Sequence, residues 1–140
     1  MNMWLIIVAE FVVMATLSTS CLTVNTTKTK RCFTELPVSL IENSIYVIDE
    51  EGRFYSSLDK KRLETNVKDY LSKNLKGLIT SYEISFTYYT VDLDNKYVID
   101  FSDNPMNVEI NFKCNFYNVL DLNFYRCFEL RNLYDERETN

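Results

Sequence analysis

Histidine is absent from this 140-residue chain, and glycine and proline occur only twice each. Each scarcity excludes something. Without histidine the chain lacks the commonest general base near neutral pH, the commonest zinc ligand, and the usual nucleophile–histidine triads. Two glycines cannot build a phosphate-cradling loop. Two glycines and two prolines are also too few for a many-turned β-sandwich, whose tight turns draw on those residues. Basic charge is scarce as well: the formal net charge is −5 and no long basic run occurs. Nucleic acid binding needs a concentrated positive face that displaces counterions from phosphates, so no nucleic-acid partner is expected.

Local chemistry is equally sparse. Asp49-Glu50-Glu51 and Asp92-Leu93-Asp94 are the acidic clusters. The second lacks the glycine and the distal glutamate of a helix-loop-helix calcium site, so both read as solvated turns. No Ser, Tyr or Lys stands in a motif that would activate it. The expectation is a non-enzymatic protein with no catalytic residue, no cofactor, no metal and no identifiable small-molecule substrate.

What is present is apolar. Hydrophobic residues make up 46% of the chain, with 10 Tyr and 9 Phe, which argues for a folded domain and against disorder. The apolar residues are concentrated at the start. Residues 3–24 read MWLIIVAEFVVMATLSTSCLTV with Glu10 as the one charge. About 20 apolar residues suffice to span a bilayer as a helix. A membrane anchor is the leading reading. A cleaved signal peptide, with small residues Ser18, Thr19 and Ser20 near the cut, is the second, and a buried core helix the third. Lys28, Lys30 and Arg31 follow the segment, and the positive-inside preference taken alone would leave the rest of the chain in the cytoplasm. Cys21 follows small residues, but the lipoprotein pattern wants Leu three places earlier, where Ser18 stands. A carboxylate within an apolar helix costs a few kcal/mol and calls for a functional explanation, unless it reaches the headgroups.

About 110 residues remain after this segment, enough for one core. Residues 25–31 read as a polar connector that contains the glycosylation triplet Asn25-Thr26-Thr27. After Pro37, the spacing of Val38, Leu40, Ile41, Ile45 and Ile48 suggests a helix that ends before Glu51-Gly52, followed by a surface loop over 53–56. An amphipathic helix is expected over 58–76, with Leu63, Val67, Tyr70, Leu71, Leu75 and Leu78 on one stripe, an N-terminal cap at Ser56 to Asp59, and Gly77 at its end. The period then changes to two. Strands are expected over 82–88, 97–101, 108–116 and 124–130, separated by turns at 92–96 and 102–105. Val108, Ile110, Phe112, Cys114 and Phe116 should share the buried face. The fold class is α+β: a long N-terminal transmembrane helix, a second amphipathic helix, and a three- to four-stranded antiparallel sheet. The expected division is 1–31 membrane segment and connector, 32–134 compact domain, and 135–140 disordered tail.

Cys32, Cys114 and Cys127 show no close Cys-x-x-Cys spacing. Cys114 and Cys127 could form a disulfide between adjacent strands, while a buried thiol at Cys114 is the simpler alternative.

The run Val8-Ala9-Glu10-Phe11-Val12-Val13-Met14 resembles the start of prepilins and pseudopilins of the Flp/Tad type, including TadE-like minor components. Those chains carry Glu followed by Phe or Tyr in an N-terminal transmembrane helix, which leads to an extracytoplasmic domain ending in antiparallel strands. Leu5 occupies the place where that family has a glycine. The resemblance implies a structural subunit of a surface-filament or secretion apparatus, with the domain outside the cytoplasm. Its partners would be the membrane and other subunits of a pilus or secretion complex. It further implies that Glu10, beside Phe11, neutralises the N-terminal amine of a neighbouring subunit. The alternative is a secreted or surface binding protein, viral or lipoprotein-like, whose apolar segment is a signal.

Overall fold

The computed structural model describes residues 3–138. It is α+β, as expected from the change of hydrophobic period along the chain. Helix α1 (Met3–Thr34) is followed by a short α2 (Ser39–Glu42) and strands β1 (Ile45–Glu50) and β2 (Arg53–Leu58). Next come α3 (Lys60–Asn74), strands β3 (Ser81–Val91), β4 (Tyr97–Ile99), β5 (Asn107–Phe116) and β6 (Leu120–Glu129), and finally α4 (Arg131–Glu138). Strands β1 and β2 form a separate hairpin, and the main sheet has the order β4-β3-β5-β6, antiparallel throughout.

The main sheet is two-faced because its strands alternate. On β5 the side chains of Val108, Ile110, Phe112, Cys114 and Phe116 are buried, while those between them are more open. This face meets the stripe Leu63, Val67 and Leu71 of α3 and the end of α1, where Phe33 stacks on Phe112 with ring centroids 5.5 Å apart. A buried aromatic of this kind contributes about 3–5 kcal/mol, judged by the cost of truncating it. Asp59 caps α3 by accepting the Arg62 N–H at 3.0 Å, so the cap lies at the second residue of the expected pair, and Ser56 belongs to β2. Gly77 adopts φ 80° in the turn after α3.

Several expectations fail for identifiable reasons. The polar connector over 25–31 is helix: α1 continues without a break to Thr34, because Asn25, Thr29 and Phe33, one turn apart, are buried against the domain. The helix expected behind Pro37 shrinks to Ser39–Glu42. Ile41, Ile45 and Ile48 fit a helical period. The run Ile45-Tyr46-Val47-Ile48 is nevertheless β-branched and aromatic, and it pairs with the supposed loop 53–56, as in Val47 opposite Ser56. Glu51 and Gly52, at φ 54° and 78°, make the two-residue turn that permits this hairpin. The last strand begins at Leu120, four residues earlier than expected, and the chain expected to fray from 135 forms α4, which packs on the β1–β2 hairpin. Residues 139 and 140 lie outside the described residues.

Arg126 is the unusual inward residue of β6. Its Nη1 donates to the carbonyls of Thr34 (2.6 Å) and Leu36 (3.0 Å), and its guanidinium lies 4.3 Å from the Phe128 ring centre. It therefore occupies the C-terminal end of α1, where carbonyls lack helical partners and positive charge is favoured.

Candidate functional site

The first two-thirds of α1 packs against nothing. Every described side chain from Met3 to Cys21 is exposed, including Trp4 (73%) and Phe11 (74%), and the most apolar 18-residue window has a mean hydropathy of 2.1 with none of it buried. An isolated helix is marginal in water, and a row of bare Leu, Ile, Val and Phe side chains loses about 1.5–3 kcal/mol each when it leaves its apolar surroundings. Among the described residues one helix, α1, is long and apolar enough to cross a membrane or to act as a signal sequence.

The hydroxyl residues in the second half of this stem are compatible with either role. Thr16, Ser18, Thr19, Ser20 and Thr23 each donate back to a carbonyl three or four residues earlier, at 2.8–3.0 Å. Their polarity is satisfied within the helix, as lipid requires. The ten Leu, Ile, Phe and Val residues of 3–24 favour insertion by roughly 3–6 kcal/mol in sum, against about 3 kcal/mol for an ionisable group near the centre. The balance is close, so a partner for Glu10 would matter.

Glu10 and Phe11 are neighbours in sequence but lie about 100° apart around the helix. Glu10 sits among Leu5, Ile6, Ala9, Val13 and Met14. Phe11 lies on the same side as Leu22, Asn25, Thr29 and Phe33, the stripe that packs lower down. Neither reaches the domain, which begins about 22 Å further along at Asn25.

The domain's contact with the stem is a polar junction. Asn25 is 8% exposed and donates from Nδ2 to the Tyr117 hydroxyl at 2.9 Å, and that hydroxyl also reaches the Gly77 carbonyl at 3.5 Å. This geometry removes Asn25 as a glycan acceptor: its amide is buried and engaged within a helix. Tyr117 and Asn118, at φ 53° and 57°, form the β5–β6 turn, closed by the Val119 N–H donating to the Phe116 carbonyl at 2.9 Å. A bulky residue at positive φ costs about 1–2 kcal/mol. Here the Thr80 Oγ1 accepts the Tyr117 N–H at 2.7 Å, and the hydroxyl contacts hold the ring. Neither the strain nor the junction was foreseen, because Tyr-Asn is a poor turn signal and the partner residues are 92 positions apart.

The expected Cys114–Cys127 bridge does not form. The β5–β6 register sets Cys114 opposite Leu122 and Cys127 opposite Glu109, five positions along the strand from Cys114 and therefore on the other face. That offset is roughly 16 Å along the strand, far beyond the reach of about 7 Å between bridged Cα atoms. Cys114 is a buried thiol and Cys127 an exposed one. Burial, with Asp121 as a lesser cause, pushes the Cys114 thiol up to about 11, which keeps it in the unreactive form at neutral pH.

Elsewhere the chemistry is that of surfaces. Among the described residues no group of three or more Cys, Asp or Glu side chains is placed to hold a metal ion. Asp92 serves its own turn, accepting the Leu93 N–H at 2.7 Å. The open face of the sheet carries a shallow groove between Glu83, Lys113, Asn115, Asp121 and Asn123. Leu93 and Tyr97 are exposed at the far end of β3, about 33 Å from its stem-proximal start, and Phe101 is exposed where the chain has returned along β4 towards the middle of that strand. No family model, curated protein or solved structure matches the chain.

Proposed function

We propose that the chain is a non-enzymatic, single-span membrane protein, a pilin-like or pseudopilin subunit of a surface-filament or secretion apparatus whose α+β domain lies outside the cytoplasm. The observation that carries this reading is the bare apolar stem with its lone carboxylate, continuous as one helix with the element that packs under the sheet. A rigid connection of this kind transmits the position of the stem to the domain, which a subunit in an ordered array needs. Glu10, set among apolar side chains, gives the stem one charge with which to select a neighbour. An ion pair with that neighbour's N-terminal amine would offset the cost of placing the carboxylate in lipid.

The test is Glu10→Ala expressed in native membranes. The variant should fractionate with the membrane as the parent does and lose its co-purification with partner subunits. Undiminished co-purification would sink the proposal.

One observation favours the second reading, a secreted or surface binding protein with a cleaved signal. Ser18, Thr19 and Ser20 are small and exposed, and a cut there would leave Asn25, Thr29 and Phe33 in place under the sheet. The mass of the mature chain separates the two: retention of residues 3–20 supports the anchored subunit, and their loss supports the secreted protein.

A further inference from the structure

We infer that the β5–β6 turn is a second membrane contact, with Tyr117 and Val119 seated in the headgroup layer of the bilayer that the stem crosses. The inference rests on the membrane reading of the stem and adds a site to it. Its first support is position. The Tyr117 hydroxyl is bonded to Asn25, the residue that follows the apolar run, so the ring stands level with the end of the stem. From Trp4 to Asn25 the helix rises about 32 Å, close to the roughly 30 Å of a hydrocarbon core. Trp4 and Tyr117 thus bracket the apolar run at its two ends, where amphipathic aromatic rings are enriched in membrane proteins.

The second support is the surface itself. Val119 is 76% exposed at the tip of the turn, and an open cleft lined by Ser18, Thr19, Cys21, Leu22, Tyr117 and Val119 separates the turn from the stem. Residues 18–22 belong to the apolar run, so any bilayer covering them also reaches this cleft and the turn beside it. The third support is the backbone. Both Tyr117 and Asn118 are held at positive φ, where glycine is the ordinary choice. The Tyr117 ring, uncommon at such a position, bonds the stem through its hydroxyl and stays half-exposed beside it, which leaves it free to meet lipid. Asp121 follows the turn while exposed Lys28, Lys30 and Arg31 follow the stem, so zwitterionic phosphatidylcholine is the surface that tests apolar seating of the turn apart from attraction to anionic lipid.

The full chain carrying Trp4→Phe and Val119→Trp, reconstituted in phosphatidylcholine vesicles, places one fluorophore at the tip. The expected emission is blue-shifted, strongly quenched by lipid brominated near the top of the acyl chain, and protected from aqueous iodide. The same background with Leu93→Trp, at a fully exposed distal position, should remain open to iodide and untouched by brominated lipid. The unaltered chain reports on the stem through Trp4. If Trp4 is quenched by lipid while the residue at 119 stays open to iodide, the stem is in the membrane and the inference about the turn is wrong. If neither is quenched by lipid, the membrane reading falls and takes this inference with it.

Discussion

The two parts of α1 share one unbroken helix and almost nothing else. From Met3 to Cys21 the helix is largely apolar and every side chain is exposed; from Asn25 to Thr34 it is polar in composition yet has three residues buried in the domain, with half-buried Leu22 marking the change. The contrast shows that hydropathy and burial are separate properties. The apolar part is bare because, among the described residues, only the β5–β6 turn comes near it, and that across an open cleft at its lower end. The polar part is packed because three side chains spaced by four fall on one face and meet a complementary surface.

Phenylalanine substitutions give the sharpest way to break this comparison. Phe33→Ala should destabilise the domain by about 3–5 kcal/mol, since Phe33 stacks on Phe112 and lies 6.2 Å from Phe124. Phe11→Ala should change it by less than about 0.5 kcal/mol, as for an exposed site. Denaturant unfolding in detergent measures both. Comparable losses from the two would mean that the stem folds back on the sheet.

A smaller effect probes how the packed part ends. Arg126→Met keeps length and apolar bulk but removes the donors to Thr34 and Leu36. The expected loss is about 1.5–3 kcal/mol, the range for hydrogen bonds to charged groups. Amide exchange should show it first at the C-terminal turn of α1. Faster exchange confined to the stem would contradict the assignment.

The smallest effect lies at the boundary. Tyr117→Phe deletes only the hydroxyl that joins the β5–β6 turn to Asn25, and should cost about 1 kcal/mol in the same unfolding assay. An unchanged midpoint would show that the junction is held by the strands alone.

Those elements whose apolar residues keep one period were legible without a structure. Strand β5 alternates cleanly from Val108 to Phe116, and α3 repeats Leu63, Val67 and Leu71, so their type and buried face could be read directly. Where a residue set satisfied two periods, local reading failed. Ile41, Ile45 and Ile48 are consistent with a helix, but β2 supplied pairing partners that no window around 45–48 contains. The continuation of α1 was hidden for a related reason: Asn25 and Thr29 are not apolar, and only the domain surface makes their face an interface. At the candidate site, Glu10 and Phe11 were visible as an anomaly in a uniform run. The Tyr117–Asn25 junction was not, because it joins residues 92 positions apart.

Sequence alone therefore determined the α+β class and the apolar N-terminal helix, through the density of apolar residues and the switch from a period near four to a period of two. It also determined which face of β5 and α3 would be buried. Only the tertiary structure decided that one helix runs through both parts, that Cys114 and Cys127 stand on opposite faces, and that Tyr117 meets the end of the stem. Each of these depends on strand register or on contacts between distant segments, and such contacts are set by packing the whole chain at once.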